Sequence, residues 1–270
     1  MTATPLRPRS ATEIVDASFR VLRQCYLQLA AVAAVILLPY IILVVLVGAN
    51  PADVSRVLGL NAILLLSAAV IEGAIVVAVS ESYLNGTTRV AEALASAAKR
   101  FPALIGVAIL RSIVVGFGVA ALVLVPGIVL GVLFRSNPLA MGILLFLLAI
   151  VPTFYLMLRT MFMTAVLMLE RTGVVESVGR SWNLAGGQMW RVLLTMLLAW
   201  VIYFGLFFIL SLAVNLLLSR NPTVSAVLSA IVMCFAYPFV GVVTTLLYYD
   251  LRVRKEGFDL EIMTEQLAVG

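Results

Sequence analysis

Long apolar runs alternate with short polar breaks along the whole chain. The runs are roughly Leu27 to Val47, Val57 to Tyr83, Pro102 to Val125 or beyond, Leu139 to Leu169, Val192 to Leu218 and Val224 to Tyr249. Each reaches the ~20 residues that a helix needs to cross a bilayer, so the pattern predicts six transmembrane helices. Pro39 and Pro152 predict kinks, Pro126-Gly127 a break or bend, and Pro238 lies inside the last span.

Three of the polar breaks carry helical periodicity of their own. Ser10 and Glu13 have capping-box spacing. Beyond them Ile14, Ser18, Phe19, Leu22 and Tyr26 share one face, and Glu13, Asp16, Arg20, Arg23 and Gln24 the other. Thr88 to Arg100 sets Val90, Leu94, Ala97 and Phe101 on one side. Val174 to Ala185 sets Val175, Val178, Trp182 and Ala185 inward, and Gly186-Gly187 ends it. Such segments lie in the membrane interface. The predicted fold class is all-α, a polytopic integral membrane protein. Its six transmembrane helices form three hairpins, each preceded by a cytoplasmic amphipathic helix. Residues 1–9, MTATPLRPR, read as an extended tail, 10–261 as one membrane domain and 262–270 as a C-terminal tail. The first span is too long, and the segment before it too acidic, for a cleaved leader.

Three outer loops read GANP, RSNP and SRNP, which places Asn50-Pro51, Asn137-Pro138 and Asn221-Pro222 at spacings of 87 and 84 residues. Glu13, Glu92 and Glu176 repeat at 79 and 84, and Glu13 to Phe19 aligns with Glu176 to Trp182. The expectation is a parallel internal repeat with units of about 10–83, 87–169 and 173–249. Pseudo-threefold packing would put a seam on the central axis.

Composition removes the soluble alternative. The chain is 63% hydrophobic and only 11% charged, with mean hydropathy +1.16, whereas globular domains carry about 25% charged residues. The charge distribution then orients the spans. Of 18 basic residues, 13 fall on one side, 3 on the other, and Arg111 and Arg159 within spans. By the positive-inside rule both termini are cytoplasmic. The sharpest boundary is the last exit, LLYYDLRVRKEGFDLE from Leu246 to Glu261. Arg20, Arg23, Arg100, Arg180, Trp182, Trp190 and Arg191 are candidate contacts at headgroup level, with anionic lipids as the expected partners.

Glu72, Arg111 and Arg159 are the charges expected deep in the hydrocarbon, each costing about 2.5–3.5 kcal/mol on insertion scales. Glu72 and Arg159 lie about 16 Å from the cytoplasmic ends of their spans, and Arg111 about 14 Å. This common depth predicts a buried network, either a structural ion pair or a half-neutralised anion site. Glu81 lies near the rim, where Arg89 is an expected partner.

The chain offers little catalytic chemistry. It has no histidine, which removes the commonest general base and metal ligand together. Cys25 and Cys234 fall too far apart for a disulfide and read as packing residues. There is no HExxH, nucleophile elbow, Gly-rich phosphate loop or nucleic-acid stripe. No enzyme activity, cofactor, metal or nucleic acid is expected.

The stretches PLRPRSATEIVDASFRVLRQCY, ESVGRSWNLAGGQMWRVL and LLYYDLRVRKEGFDLE resemble the membrane part of the glycerophosphoryl diester phosphodiesterase membrane-domain family. The resemblance covers about residues 5 to 261. It implies a polytopic protein of the bacterial inner membrane. The family's catalytic barrel, which uses histidines and acidic metal ligands, is expected to be absent, and phosphodiesterase activity is not carried over. Two functions remain open: a non-catalytic scaffold, regulatory or bilayer-sensing module, with or without a protein partner, and a transporter or lipid-handling protein for an anionic lipid or small solute. A wet cavity reaching Glu72, Arg111 and Arg159 would favour the second, and a dry centre the first.

Overall fold

The computed structural model describes residues 9–50, 53–85, 89–134, 137–218 and 221–257. Arg7, Pro51, Thr88, Arg135, Arg220 and residues 258–261 of the exit stretch lie outside them. Every regular element among the described residues is helical, and six helices are long and apolar enough to cross a membrane. The protein is a polytopic membrane protein.

Helix α1 spans Ala11–Val47 and begins with the capping box read from the sequence. Glu13 N–H donates to Ser10 Oγ at 3.2 Å, and Ser10 N–H to Glu13 Oε2 at 2.7 Å. The helix runs through Pro39. Its non-helical residue is Cys25 (φ −129°, ψ 18°), where the amphipathic segment meets the apolar one. Helices α2 (Val54–Asn85), α3 (Val90–Lys99) and α4 (Phe101–Leu133) follow. Pro126 does not end α4, which continues to Leu133.

The Asn-Pro loops have a shared physical cause in two copies. Asn137 Oδ1 caps α5 (Pro138–Thr160) by accepting from Ala140 N–H at 3.1 Å. Asn221 Oδ1 caps α9 (Pro222–Glu256) by accepting from Thr223 N–H at 2.9 Å. In both, proline takes the first turn, where its missing N–H costs nothing. At the first loop Asp53 takes over, accepting from Arg56 N–H at 3.1 Å.

The fourth apolar run keeps a helical backbone at Pro152 and breaks further on. The break is at Met161–Phe162, and the run resumes as α6 (Met163–Ala165) and a π-helical turn, Val166–Glu170. Ser181, on α7 (Val174–Ala185), causes the break to persist. Its Oγ accepts from Phe162 N–H at 3.2 Å and donates to Arg159 C=O at 2.7 Å. A side chain has entered the backbone ladder and satisfied both freed groups.

The long helices form a ring in chain order: α1 on α2, α2 on α4, α4 on α5, α5 on α8 (Met189–Leu218), α8 on α9, and α9 back on α1. The α1–α9 contact is the most extensive, and α2 and α9 also meet across the centre. The ring is therefore uneven rather than threefold. Burial concentrates in α1, α2 and the second half of α9, where every residue from Gly241 to Asp250 is buried. Helix α4 leaves Phe117, Leu124 and Val132 exposed, as a lipid-facing helix must.

The amphipathic helices present a common register. Ile14, Ala93 and Ser177, and five positions after each glutamate Ser18, Ala97 and Ser181, are all buried. The buried face is rotated from the expected one: Phe19, Phe101 and Val175 point outward. Small residues let these helices approach the bundle closely, while Phe101 and Val175 stay exposed and Phe19 packs on the Phe239 ring at 4.9 Å.

Glycine marks the close crossing of α2 and α9. A Cβ on Gly241 of α9 would lie 2.6 Å from Ile75 Cγ2 on α2. Gly241→Val should lower stability by about 1–3 kcal/mol through overpacking, measured by thermal melting in detergent. Ile75→Ala in the same chain should recover part of the loss; no recovery would show that the α2–α9 contact is not the cause.

Candidate functional site

Glu72 faces inward because α2 is buried on both sides of it, at Ile71 and Ala74. Arg111 on α4 reaches it with two terminal nitrogens, Nη1 to Oε2 and Nη2 to Oε1, both at 3.2 Å. Arg111 Nη2 also donates to Thr164 Oγ1 at 2.6 Å. The remaining guanidinium nitrogen, Nε, is buried with no hydrogen-bond partner among the described residues. The pair lies on the wall of a cavity of about 250 Å³. Trp200, Tyr203, Tyr237, Met196 and Thr244 complete much of that wall. The arrangement is one partly accessible ion pair on the wall of a largely apolar, aromatic chamber. It suits a molecule with an apolar body and one polar group to meet the pair.

Arg159 does not join this pair. Its Nη1 donates to Trp182 C=O at 2.9 Å and its Nε to Tyr155 Oη at 3.2 Å. The guanidinium carbon sits 5.2 Å from the Tyr155 ring centre and 5.0 Å from that of Trp182. The equal-depth argument assumed an unbroken fourth span. The break after Thr160 instead places Arg159 in the last turn of α5, where a cation also complements the helix terminus. Thr164, beyond the break, takes the third place beside Arg111. Sequence reasoning missed Thr164 and Tyr237. Their signal was a lone hydroxyl in the run MFMTAVLML and a tyrosine beside an intramembrane proline.

The expected headgroup contacts divide into two groups. Arg180 and Arg191 are held internally. Asp250 accepts from Arg9 N–H at 2.7 Å, Arg191 Nε at 2.9 Å and Arg254 Nε at 3.0 Å. Arg254 Nη2 donates in turn to Arg9 C=O at 3.0 Å. Glu170 accepts from Tyr248 Oη and Arg180 Nε, both at 2.7 Å. Arg180 also pairs with Glu256, which Arg252 reaches at 3.0 Å. Hydrogen bonds to Glu256 and Glu170 hold the Arg180 guanidinium above its ordinary pKa. Trp182 lies half-buried against Arg159, and Arg100 donates to Leu167 C=O. Arg20, Arg23 and Trp190 remain exposed. Arg89 pairs through its side chain with Glu92 at 2.7 Å, and its backbone N–H and charge also act on Glu81. Cys25 and Cys234 are both buried free thiols.

No protein-family model, characterised protein or solved structure matches the chain.

Removing one partner of a desolvated pair leaves an uncompensated charge, whereas replacing both with apolar residues is close to neutral. Glu72→Gln should therefore lose about 3 kcal/mol of stability, while Glu72→Met with Arg111→Met should melt near wild type. Equal melting of wild type and Glu72→Gln would remove the ion pair from the account of stability. Asp250→Asn, which leaves two guanidinium groups against a neutral amide, should lose about 3 kcal/mol as well. It should also raise proteolytic cleavage ahead of Ser10, the readout specific to the N-terminal tie.

Proposed function

We propose that this is a non-catalytic protein of the bacterial inner membrane that admits an amphiphilic molecule, an anionic lipid or a small solute, into its helix bundle. The positive-inside count supports a topology with both termini cytoplasmic and three hairpins, each introduced by an interfacial helix. The resemblance of the N-terminal, inner and exit stretches to the glycerophosphoryl diester phosphodiesterase membrane-domain family supports the same placement and adds no catalytic role.

The observation that carries the reading is the central cavity. Its apolar, aromatic walls surround the Glu72–Arg111 pair, whose side chains remain partly accessible. A charge pair set in apolar walls favours a ligand that brings a polar group to the pair and buries an apolar body beside it. Tyr203 lines this cavity and also a larger groove of about 680 Å³ beside the α1 kink, where Arg23, Gln24 and Gln28 border apolar walls. A groove of that kind is a route by which a lipid-like molecule leaves the bilayer and reaches the centre. Arg159, tied between Tyr155 and Trp182, has no part in the site.

A second reading, a scaffold or regulatory module, rests on a different observation. Helices α4 and α5 turn a broad apolar face outward, including Ile128, Val132, Phe146 and Val151, which a partner's transmembrane helix would cover.

Native mass spectrometry of protein extracted gently from its source membrane separates the two. The first reading expects a retained amphiphile at one per chain, absent from the Glu72→Met/Arg111→Met variant although that variant folds. A stoichiometric protein partner with no retained small molecule would overturn it in favour of the scaffold.

A further inference from the structure

A second cavity, of about 550 Å³, lies where α2, α3 and the π-helical turn come together, away from the central chamber. Lys99, Arg100, Arg171, Ser96 and Glu81 line it, with Met168 beneath. Three cations thus face one carboxylate. On this face Arg180, Arg191, Arg252 and Arg254 each meet an acid, and Arg20 and Arg23 are exposed. Here three cations converge on one cavity. Lys99 and Arg171 are exposed and make no hydrogen bond or ion pair among the described residues. Arg100 is anchored to Leu167 C=O through Nη1 alone, so its other N–H groups remain available.

Backbone geometry singles out the same place. Arg171 is the only non-glycine residue with positive φ among the described residues (φ 57°, ψ 29°). Glycine is the usual occupant of such a left-handed position after a helix. An arginine there, closing a π-turn of the sort that collects at functional sites, sets a guanidinium opposite the end of α3.

We infer that this cavity binds a phosphate group, carried by an anionic lipid headgroup or by a free phosphorylated solute. The inference is independent of the central cavity. Two guanidinium forks match phosphate oxygens bidentately, an ammonium adds a point charge, and the Ser96 hydroxyl can donate.

The test uses the full chain in detergent at constant ionic strength. It is titrated with inorganic phosphate, and in a separate arm with vesicles of phosphatidylcholine with or without phosphatidylglycerol. Saturable binding in the phosphate arm identifies a solute site, and binding confined to phosphatidylglycerol vesicles identifies a headgroup site; either supports the inference. Lys99→Gln and Arg171→Gln should each weaken binding about fivefold, and Arg171→Lys, which keeps the charge but loses the fork, should fall between Arg171→Gln and wild type. Arg171→Gly keeps the fold testable: it relaxes the left-handed backbone, so it should melt no lower than wild type and still lose binding. Arg89→Gln, on the same face and outside the cavity, should change nothing. No binding in either arm, or an equal loss in Arg89→Gln and Arg171→Gln, would overturn the inference.

Discussion

Asp250 holds the bundle closed. A ring of helices assembled in chain order has its open seam between the first and last, and Asp250 sits on that seam. It accepts from the backbone at the start of α1, from Arg191 at the start of α8 and from Arg254 one turn further along α9. Lipid supplies little hydrophobic drive for helices to associate, so close packing and polar ties must do so. The α1–α9 interface provides both, with the Asp250 cluster at one end and Ala49 N–H on Thr223 Oγ1 at the other. The abrupt exit YYDLRVRKE is consequently part of the core as well as a topology signal. Tyr248 and Tyr249 bind Glu170 and Ser80 from inside the bundle.

One hydroxyl has consequences out of proportion to its size. Ser181 stabilises the break after Thr160 by occupying the two backbone groups that the break frees. The break turns Arg159 toward α7 and its aromatic partners, and brings Thr164 to Arg111. The central site therefore contains one cation instead of two. Its charge is balanced by Glu72, and an aromatic wall surrounds the pair. Ser18, the residue aligned with Ser181, is equally buried but bonds back to Ile14 C=O in its own helix at 2.8 Å. The same side chain in the same register thus has two uses, because Ser181 lies against the broken end of α5 while Ser18 has a carbonyl of its own helix within reach.

Cations on the polar face separate by what surrounds them. Arg180, Arg191 and Arg254 have carboxylates within reach and join helices to one another. Lys99, Arg171, Arg20 and Arg23 are exposed. A basic count along the chain treats the two groups alike, although one is consumed by the fold and the other is free to meet an anion.

Much of this protein was legible from apolar length and polar spacing. The six long helices, the Ser10–Glu13 box and the extent of α7 follow from local rules, since periodicity and capping involve residues within a turn of one another. The Asn-Pro caps of α5 and α9 belong with them. The Glu72–Arg111 pairing was also within reach, because charges of opposite sign at one depth in a low-dielectric medium have few alternatives. What only the tertiary structure decided were the choices among competing partners. Pro152 predicted a kink, but nothing local marked the backbone break at Met161–Phe162, where Ser181 of another helix takes up the freed groups. Arg159 had the depth to join Glu72 but found Tyr155 and Trp182 nearer. Arg180 and Arg191 had the position of headgroup contacts and met Glu170, Glu256 and Asp250 instead. Sequence determines what each segment can do alone; which buried donor meets which acceptor depends on helices far apart in the chain, and is settled by distance once they pack.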